Sequence, residues 1–333
     1  MEFRKRQDRT WLDRQNRSMN KHYKIAFVGM GSIGKRHLGN VCDLIKSQGG
    51  ECTVDLYRSS MLRELPADVV ALVANQYSYE GPVQKEYDMV FVTNPTSMHL
   101  ETAVKFRPYT KSFFIEKPVF RDFDVAADVI AKLDEIPSYV ACPLHYNPVL
   151  QYVKQNIDVS KVISVRAMSS SYLPDWRPGQ DYRQTYSAHA SLGGGVDIDL
   201  IHEWDYLTWI FGMPTKCHGV VGRFSNLEID SNDTALYVAS NEQMTFELHL
   251  DYFGCKAQRT LDIFTYDDTI QCDLIAGTIS YLKEGKTVEV SVERNSFQMA
   301  EIKHFFDIIE GKIENDSNVE HGIKVLKLTK STI

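Results

Sequence analysis

Apolar residues follow two rhythms along this chain, and the change falls near residue 145. In the first stretch they concentrate in short segments at 23–28, 52–58, 88–93, 113–118 and 138–144, the fourth apolar only as far as Ile115 and the second interrupted by Thr53 and Asp55. Runs that are apolar at nearly every position mark strands covered on both faces, as in a parallel sheet. Segments 62–74 and 124–133 read as helices between them and 75–82 as a turn, so strand and helix alternate. Beyond residue 145 the period shortens to two, at 161–171, 215–223, 234–240, 244–252, 260–266, 269–274, 278–282 and 287–292. That alternation predicts a large, mainly antiparallel open sheet. Helices are predicted over 196–211, with Leu200, Trp204, Leu207 and Phe211 as the packing stripe, over 296–310 with Gly311 as the stop, and over 319–328.

The loops after the first set of strands carry the chemistry. The strand at 23–28 passes at once into Gly29-Met30-Gly31-Ser32-Ile33-Gly34 and a helix-compatible segment, the G-x-G-x-x-G pattern in its strand–turn–helix setting. Gly29 permits the tight turn, Gly31 lets the backbone approach a pyrophosphate, and Gly34 lets the helix pack closely on the sheet. The helix amino terminus then offers N–H groups to the phosphates. This predicts a Rossmann dinucleotide-binding domain. The second strand ends at Tyr57-Arg58-Ser59, where a ribose-reading residue belongs. An acidic tip would select NAD, whereas Arg58 and Ser59 suit a 2′-phosphate, so NADP is favoured over NAD. Asp55 becomes the NAD selector only if the strand ends earlier.

The strand at 88–93 runs into Thr93-Asn94-Pro95 and His99, which belong at the same carboxyl edge as the glycine loop. The strand at 113–118 delivers Glu116 and Lys117, just before Pro118, to that edge as well. A final apolar run ends in Asn147-Pro148.

Composition narrows the partners. Apolar residues make up 43% and charged residues 24% of the 333 positions, ordinary for a folded domain, and the length suggests two of them. A net charge of −7 argues against nucleic acid, since phosphate backbones need a basic surface. No apolar run is long enough to span a bilayer. The cysteines are scattered without C-x-x-C or zinc-finger spacing, so no metal is expected and a cytoplasmic location is. The fold class is thus α/β: a Rossmann domain over 23–144 and an α+β domain with a large, mainly antiparallel open sheet over 145–312. Residues 1–22 form a basic extension, and 313–333 a carboxyl-terminal helical segment.

Taken in order, Gly29-x-Gly31-x-x-Gly34, Thr93-Asn94-Pro95 with His99, Glu116-Lys117-Pro118 and Asn147-Pro148 make the chain resemble the Gfo/Idh/MocA family of NAD(P)-dependent oxidoreductases. The resemblance extends over residues 23–333. It implies cofactor binding by Gly29, Gly31, Ser32, Ile33, Gly34, Tyr57, Arg58, Ser59, Thr93, Asn94, Pro95, His99, Glu116 and Lys117. It implies a substrate site on the second sheet, a homo-oligomer formed through that sheet, and a terminal helix packed back on the Rossmann domain. It also places a catalytic histidine where His202 stands, behind Gly193-Gly194-Gly195. Asp199 precedes His202 by three residues, where many members have four, yet a continuous helix would still put both on one face.

The loop at 173–183 holds Trp176, Arg177, Tyr182 and Arg183, aromatic faces for a sugar and guanidinium groups for an anion. With Asn147 and His202 these are the expected substrate-binding residues, and Lys117, His202 and Asp199 the catalytic ones. The Leu-Pro-Asp-Trp-Arg-Pro-Gly run is similar to that of members tied to bacterial surface-sugar and nonulosonic-acid biosynthesis. The expected reaction is hydride transfer with a secondary alcohol or ketone of a sugar, sugar acid or nucleotide sugar. Two alternatives stay open: a sugar–sugar oxidoreductase with tightly bound NADP, and a non-catalytic dinucleotide-sensing regulator.

Overall fold

The structure is a computed structural model that describes residues 21–330 apart from residue 63. The basic extension, but for residues 21 and 22, lies outside the described residues. The described residues divide into two compact units: those within 21–116, 126–140 and 302–319 form the first, and those within 117–125, 141–301 and 320–330 the second.

In the first unit the chain alternates as its apolar runs predict: β1 (His22–Val28), α1 (Ser32–Ser47), β2 (Glu51–Arg58), α2 (Ala67–Val70), β3 (Asn75–Ser78), β4 (Met89–Val92), α3 (His99–Phe106), β5 (Phe113–Ile115), α4 (Ala127–Asp134) and β6 (Ser138–Val140). All pairings are parallel, in the order β3-β2-β1-β4-β5-β6. This is the doubly wound order whose direction of winding reverses between β1 and β4. Register places Phe27 opposite Phe91 and Phe91 opposite Phe114, and their rings stack at 4.6 and 5.0 Å. Phe305 closes over Phe91 and Phe114 at 5.9 and 5.4 Å. Two expectations shift here. Segment 75–82, read as a turn, contributes the edge strand β3, whose polar residues follow its edge position. The helix expected over 62–74 shrinks to the four residues of α2.

The second unit contains α5 (Pro148–Asn156), β7 (Val162–Tyr172), α6 (Val196–Asp199), α7 (His202–Phe211), β8 (Lys216–Gly222), β9 (Thr234–Ser240), β10 (Thr245–Asp251), β11 (Phe253–Thr265), β12 (Thr269–Asp273), β13 (Thr278–Tyr281) and β14 (Lys286–Glu289). Its sheet runs β14-β13-β12-β11-β7-β10-β9-β8. Every pairing is antiparallel except β7 with β10. One face is covered by helix: Trp204, Leu207 and Phe211 of α7 join Val165, Ala167, Leu248 and Leu261 in the core. Val220, Leu236 and Val238 point the other way and are exposed.

Helix α8 (Arg294–Ile309) and helix α9 (Val319–Thr329) finish the chain. The chain crosses between the two units at more points than the expected boundaries at 144 and 312. Residues 302–319 belong to the first unit, and the last helix, expected on the Rossmann domain, lies in the second from residue 320 onward. Val325, Leu326 and Leu328 bury themselves in the second unit's core, and Tyr237 donates its hydroxyl to the Thr329 carbonyl at 2.9 Å. Among the described residues no helix is long and apolar enough to cross a membrane.

Candidate active site

The glycine loop follows β1 at the point where the sheet reverses its winding. Gly29 has φ +91°, and a Cβ there would lie 2.6 Å from the Asn94 backbone at the end of β4. A Cβ on Gly34 would lie 2.9 Å from Thr93 Oγ1, which donates to the Gly29 carbonyl at 2.9 Å. A Cβ on Gly31, by contrast, would have no atom of another described residue within 4 Å beyond its chain neighbours. Gly31, Ser32 and Ile33 open toward solvent at the amino end of α1, which has neither a side-chain cap nor an acidic residue in its first turn. An open backbone cradle with uncapped N–H groups fits the pyrophosphate of a dinucleotide.

The other carboxyl-edge residues of the first unit are held from behind. Asn94 donates to Thr102 Oγ1 at 2.8 Å, and His99, buried, contacts the Asn94 carbonyl at 2.9 Å through Nε2. Pro95 is exposed beside them. Glu116 is buried and meets His37 Nε2 of α1 at 2.5 Å. His37 is a partner that local sequence does not flag, because 79 residues separate the two. At the ribose position β2 does end at Arg58. Asp55 lies inside, bound by Asn75 at 2.7 Å, Tyr87 at 3.0 Å and Lys85 at 3.0 Å, so it does not stand at the tip. Tyr57, expected at the cofactor, turns its ring inward to meet the Tyr87 hydroxyl at 2.9 Å, and offers the loop its carbonyl, which accepts Gly29 N–H. Arg58 donates to Gln76 at 2.8 Å, and Ser59 is exposed.

In the second unit, Lys117 Nζ donates to the Asp199 carbonyl at 2.7 Å. The continuous helix expected over 196–211 breaks: α6 stops at Asp199, and Leu200 leaves helical geometry at φ −102° and ψ 28°. The shared-face argument for Asp199 and His202 therefore does not apply. The buried Asp199 carboxylate instead accepts the Tyr252 hydroxyl at 2.6 Å, and burial, then this carboxylate, push the Tyr252 phenol well up. His202 begins α7, half-buried. Its neighbour Glu203 is fully buried 2.7 Å from Arg259. Burial raises the Glu203 carboxyl, opposed by the Arg259 guanidinium and more weakly by the Lys117 ammonium. Gly195, at φ +143°, passes so close to Asn232 and Asp197 that a Cβ would lie 2.7 Å from Asn232 Nδ2.

The expected substrate loop is folded on itself. Trp176 donates Nε1–H to Ser171 Oγ at 2.9 Å and meets Tyr252 edge to face. Arg177 lies over the Tyr186 ring, Tyr182 accepts Glu228 N–H at 3.2 Å, and Arg183 pairs with Asp181 and Glu228. Asn147 is buried and caps α5 through Val149 N–H while its amide donates to Leu274. Its side chain is thereby committed to structure. One group that spacing did not flag is Cys142, His145 and Asp205, whose ligand-type atoms lie within 4.8 Å of one another.

Comparison with known proteins agrees with this architecture. Residues 23–142 match the GFO_IDH_MocA family, described as the oxidoreductase family with an NAD-binding Rossmann fold. The "Uncharacterized oxidoreductase YrbE" of Bacillus subtilis (strain 168) is 21% identical over 295 residues, covering 86% of this chain and 82% of the relative. A levoglucosan dehydrogenase in complex with NADH and levoglucosan superposes with a TM-score of 0.79 at 14% identity, over 93% of this chain and 96% of the other. The UDP-N-acetylglucosamine 3-dehydrogenase GnnA from Acidithiobacillus ferrooxidans gives 0.70 at 19% identity, over 94% and 97%. At such identities the superpositions speak to the fold. The glycine loop and the reversing parallel sheet agree with the family match: over residues 23–142 this chain is similar to the Gfo/Idh/MocA oxidoreductases, with an NAD-binding Rossmann fold.

Proposed function

We propose that the protein is an NAD(P)-dependent dehydrogenase that interconverts a secondary alcohol and a ketone on a sugar, sugar acid or nucleotide sugar. The observation that carries this reading is Lys117, whose ammonium is fixed 2.7 Å from the Asp199 carbonyl, on the segment that leads directly into His202. A cation and an imidazole thus belong to one local framework of the second unit, while the first unit offers the open cradle at Gly31.

The cofactor, when bound, supplies or accepts the hydride. In the oxidative direction His202 takes the hydroxyl proton as the carbon loses hydride and the C–O bond becomes C=O; imidazoles titrate in the range this needs. Lys117 donates to the same oxygen and stabilises its developing negative charge. Asp199 acts as a positioning residue, its carbonyl anchoring Lys117 and its carboxylate anchored by Tyr252. Trp176 and Tyr182 supply aromatic faces for the sugar, and Arg177 and Arg183 contacts for an anionic group. Two similar structures are of enzymes named for carbohydrates, which supports this substrate class.

Gly29, Gly31, Ser32, Ile33 and Gly34 would hold the pyrophosphate of the cofactor, and Thr93, Asn94, Pro95, His99 and Glu116 would serve its nicotinamide half. Arg58 and Ser59 at the strand tip, with Asp55 buried, favour NADP over NAD. Fluorescence titration with both cofactors tests this; equal or tighter NAD binding reverses the preference. A second copy covers the exposed face at Val220, Leu236 and Val238, and a monomer in sedimentation refutes that.

The deciding experiment is a screen of sugars, sugar acids and nucleotide sugars with each cofactor, read by nicotinamide absorbance. On the substrate found, Lys117→Ala and His202→Ala keep cofactor affinity and each lose at least ~100-fold in kcat/KM. Full activity in both variants overturns the assignment.

A further inference from the structure

The second unit contains a side-chain cluster that the proposed reaction does not use. The Cys142 carbonyl accepts the His145 N–H at 3.0 Å, closing a 3-10 turn over Pro143–Tyr146. The thiol of Cys142, which caps this turn, and the imidazole of His145 bring their ligand atoms within 4.8 Å of each other. Asp205 of α7 brings its carboxylate to them, with Oδ2 3.0 Å from His145 Nε2. Cys142 and His145 are each 1% exposed.

The contact between His145 and Asp205 is not a hydrogen bond. Among the described residues, neither ring nitrogen of His145 nor Asp205 Oδ2 has a hydrogen-bond partner, so at 3.0 Å the oxygen stands off the N–H direction. Two buried polar groups in van der Waals range without a shared proton are costly unless something else satisfies them. The ring is held in this attitude by Trp209, stacked at 4.2 Å and 13°. The cysteine is held by its own N–H, which donates to Glu301 Oε1 at 2.6 Å.

We infer that Cys142 Sγ, a ring nitrogen of His145 and a carboxylate oxygen of Asp205 form a Zn²⁺ site. A cation accepts the imidazole lone pair and the carboxylate oxygen at an angle that a shared proton does not. Thiolate, imidazole and carboxylate together select zinc over the hard cations Mg²⁺ and Ca²⁺. Edges of a tetrahedral site with these ligands measure ~3.3–3.7 Å, so separations within 4.8 Å need only side-chain rotation to close. His321 Nε2, 3.8 Å from Asp205 Oδ1, brings a second imidazole toward the carboxylate's other oxygen. The ion ties the 142–146 turn to α7, one helical turn after His202, and its role is structural. Binding releases the thiol proton, so affinity falls on acidification.

Full-length protein, stripped with a chelator and dialysed, is titrated with Co²⁺. One equivalent produces tetrahedral d–d bands and a thiolate charge-transfer band, and Zn²⁺ abolishes both. Cys142→Ser loses the charge-transfer band and His145→Ala loses saturable binding, whereas Cys255→Ser, at an exposed thiol, changes neither. Zinc content of the wild-type protein, about one per chain by elemental analysis, falls with chelation together with Tm, and both return with Zn²⁺. That arm needs no substitution and stands if a variant fails to fold. Absence of a saturable Co²⁺ spectrum in folded wild-type protein, a band that survives in Cys142→Ser, or a Tm indifferent to chelation and Zn²⁺ overturns the site and leaves a buried ion pair beside a thiol.

Discussion

A methyl group added at Gly29 meets the Asn94 backbone at 2.6 Å on a chain already at φ +91°, whereas one added at Gly31 meets nothing within 4 Å among the described residues beyond its chain neighbours. The two glycines therefore differ in kind. Gly29→Ala is expected to lose about 2 kcal/mol of stability, because a side chain at positive φ and a backbone clash are both strained. Gly31→Ala is expected to keep the wild-type Tm and lose cofactor affinity, since the methyl occupies the place where a pyrophosphate approaches. Thermal denaturation paired with cofactor titration separates them; a stable Gly29→Ala protein or an unaltered affinity in Gly31→Ala contradicts the account. Tyr252→Phe removes the 2.6 Å bond to the buried Asp199 carboxylate and is expected to cost ~1–3 kcal/mol. It is also expected to lower kcat more than it raises KM, because Asp199 anchors Lys117 rather than the substrate.

The strands of the second unit depend on turns closed by buried carboxylates. Asp233, before β9, is fully buried and accepts Phe224 N–H at 2.8 Å, Ser225 N–H at 2.9 Å and the Ser225 hydroxyl at 2.6 Å. Burial alone raises such a carboxyl, but these donors outweigh it and the net shift is downward from the ordinary value of 3.8. A carboxyl depressed in the folded state contributes stability that is present above pH 3.8 and lost as pH falls through the folded value. Asp233→Asn is expected to be less stable at neutral pH and to lose less on further acidification. Denaturation curves from pH 7 to about pH 2 check this, and parallel losses in wild-type and variant count against it. The pattern of alternation located β9 well, but not what closes its turn, because the partners come from the far side of a hairpin.

At the scale of the molecule, two units of different architecture share one chain that passes between them several times. A ligand that binds only the folded protein raises stability by mass action, by about 2.7 kcal/mol at a hundredfold excess over Kd. Saturating NADP is thus expected to raise the Tm of the transition that melts the first unit, seen by calorimetry. A scan unchanged by either cofactor speaks against the glycine cradle as their site. Chain tracing through the units was only partly legible. Val319–Thr329 was expected as a helix and is one, yet its apolar face fits the second unit's core, since periodicity reports that a face is buried and not what covers it.

The amino-acid sequence by itself determined the alternation of the first unit, the glycine loop, the edge position of Arg58 and the strands of the second sheet. Each depends on neighbours within a few residues, where apolar period and turn chemistry act. Tertiary structure alone decided the rest. Helix α6 ends at Asp199 where Tyr252 takes its carboxylate, β7 pairs in parallel with β10, His37 reaches Glu116, and Asp205 comes to Cys142 and His145. These meetings join residues tens of positions apart. Local propensity is blind to them, because their energy comes from burial and from pairing polar groups that only the folded chain brings within reach.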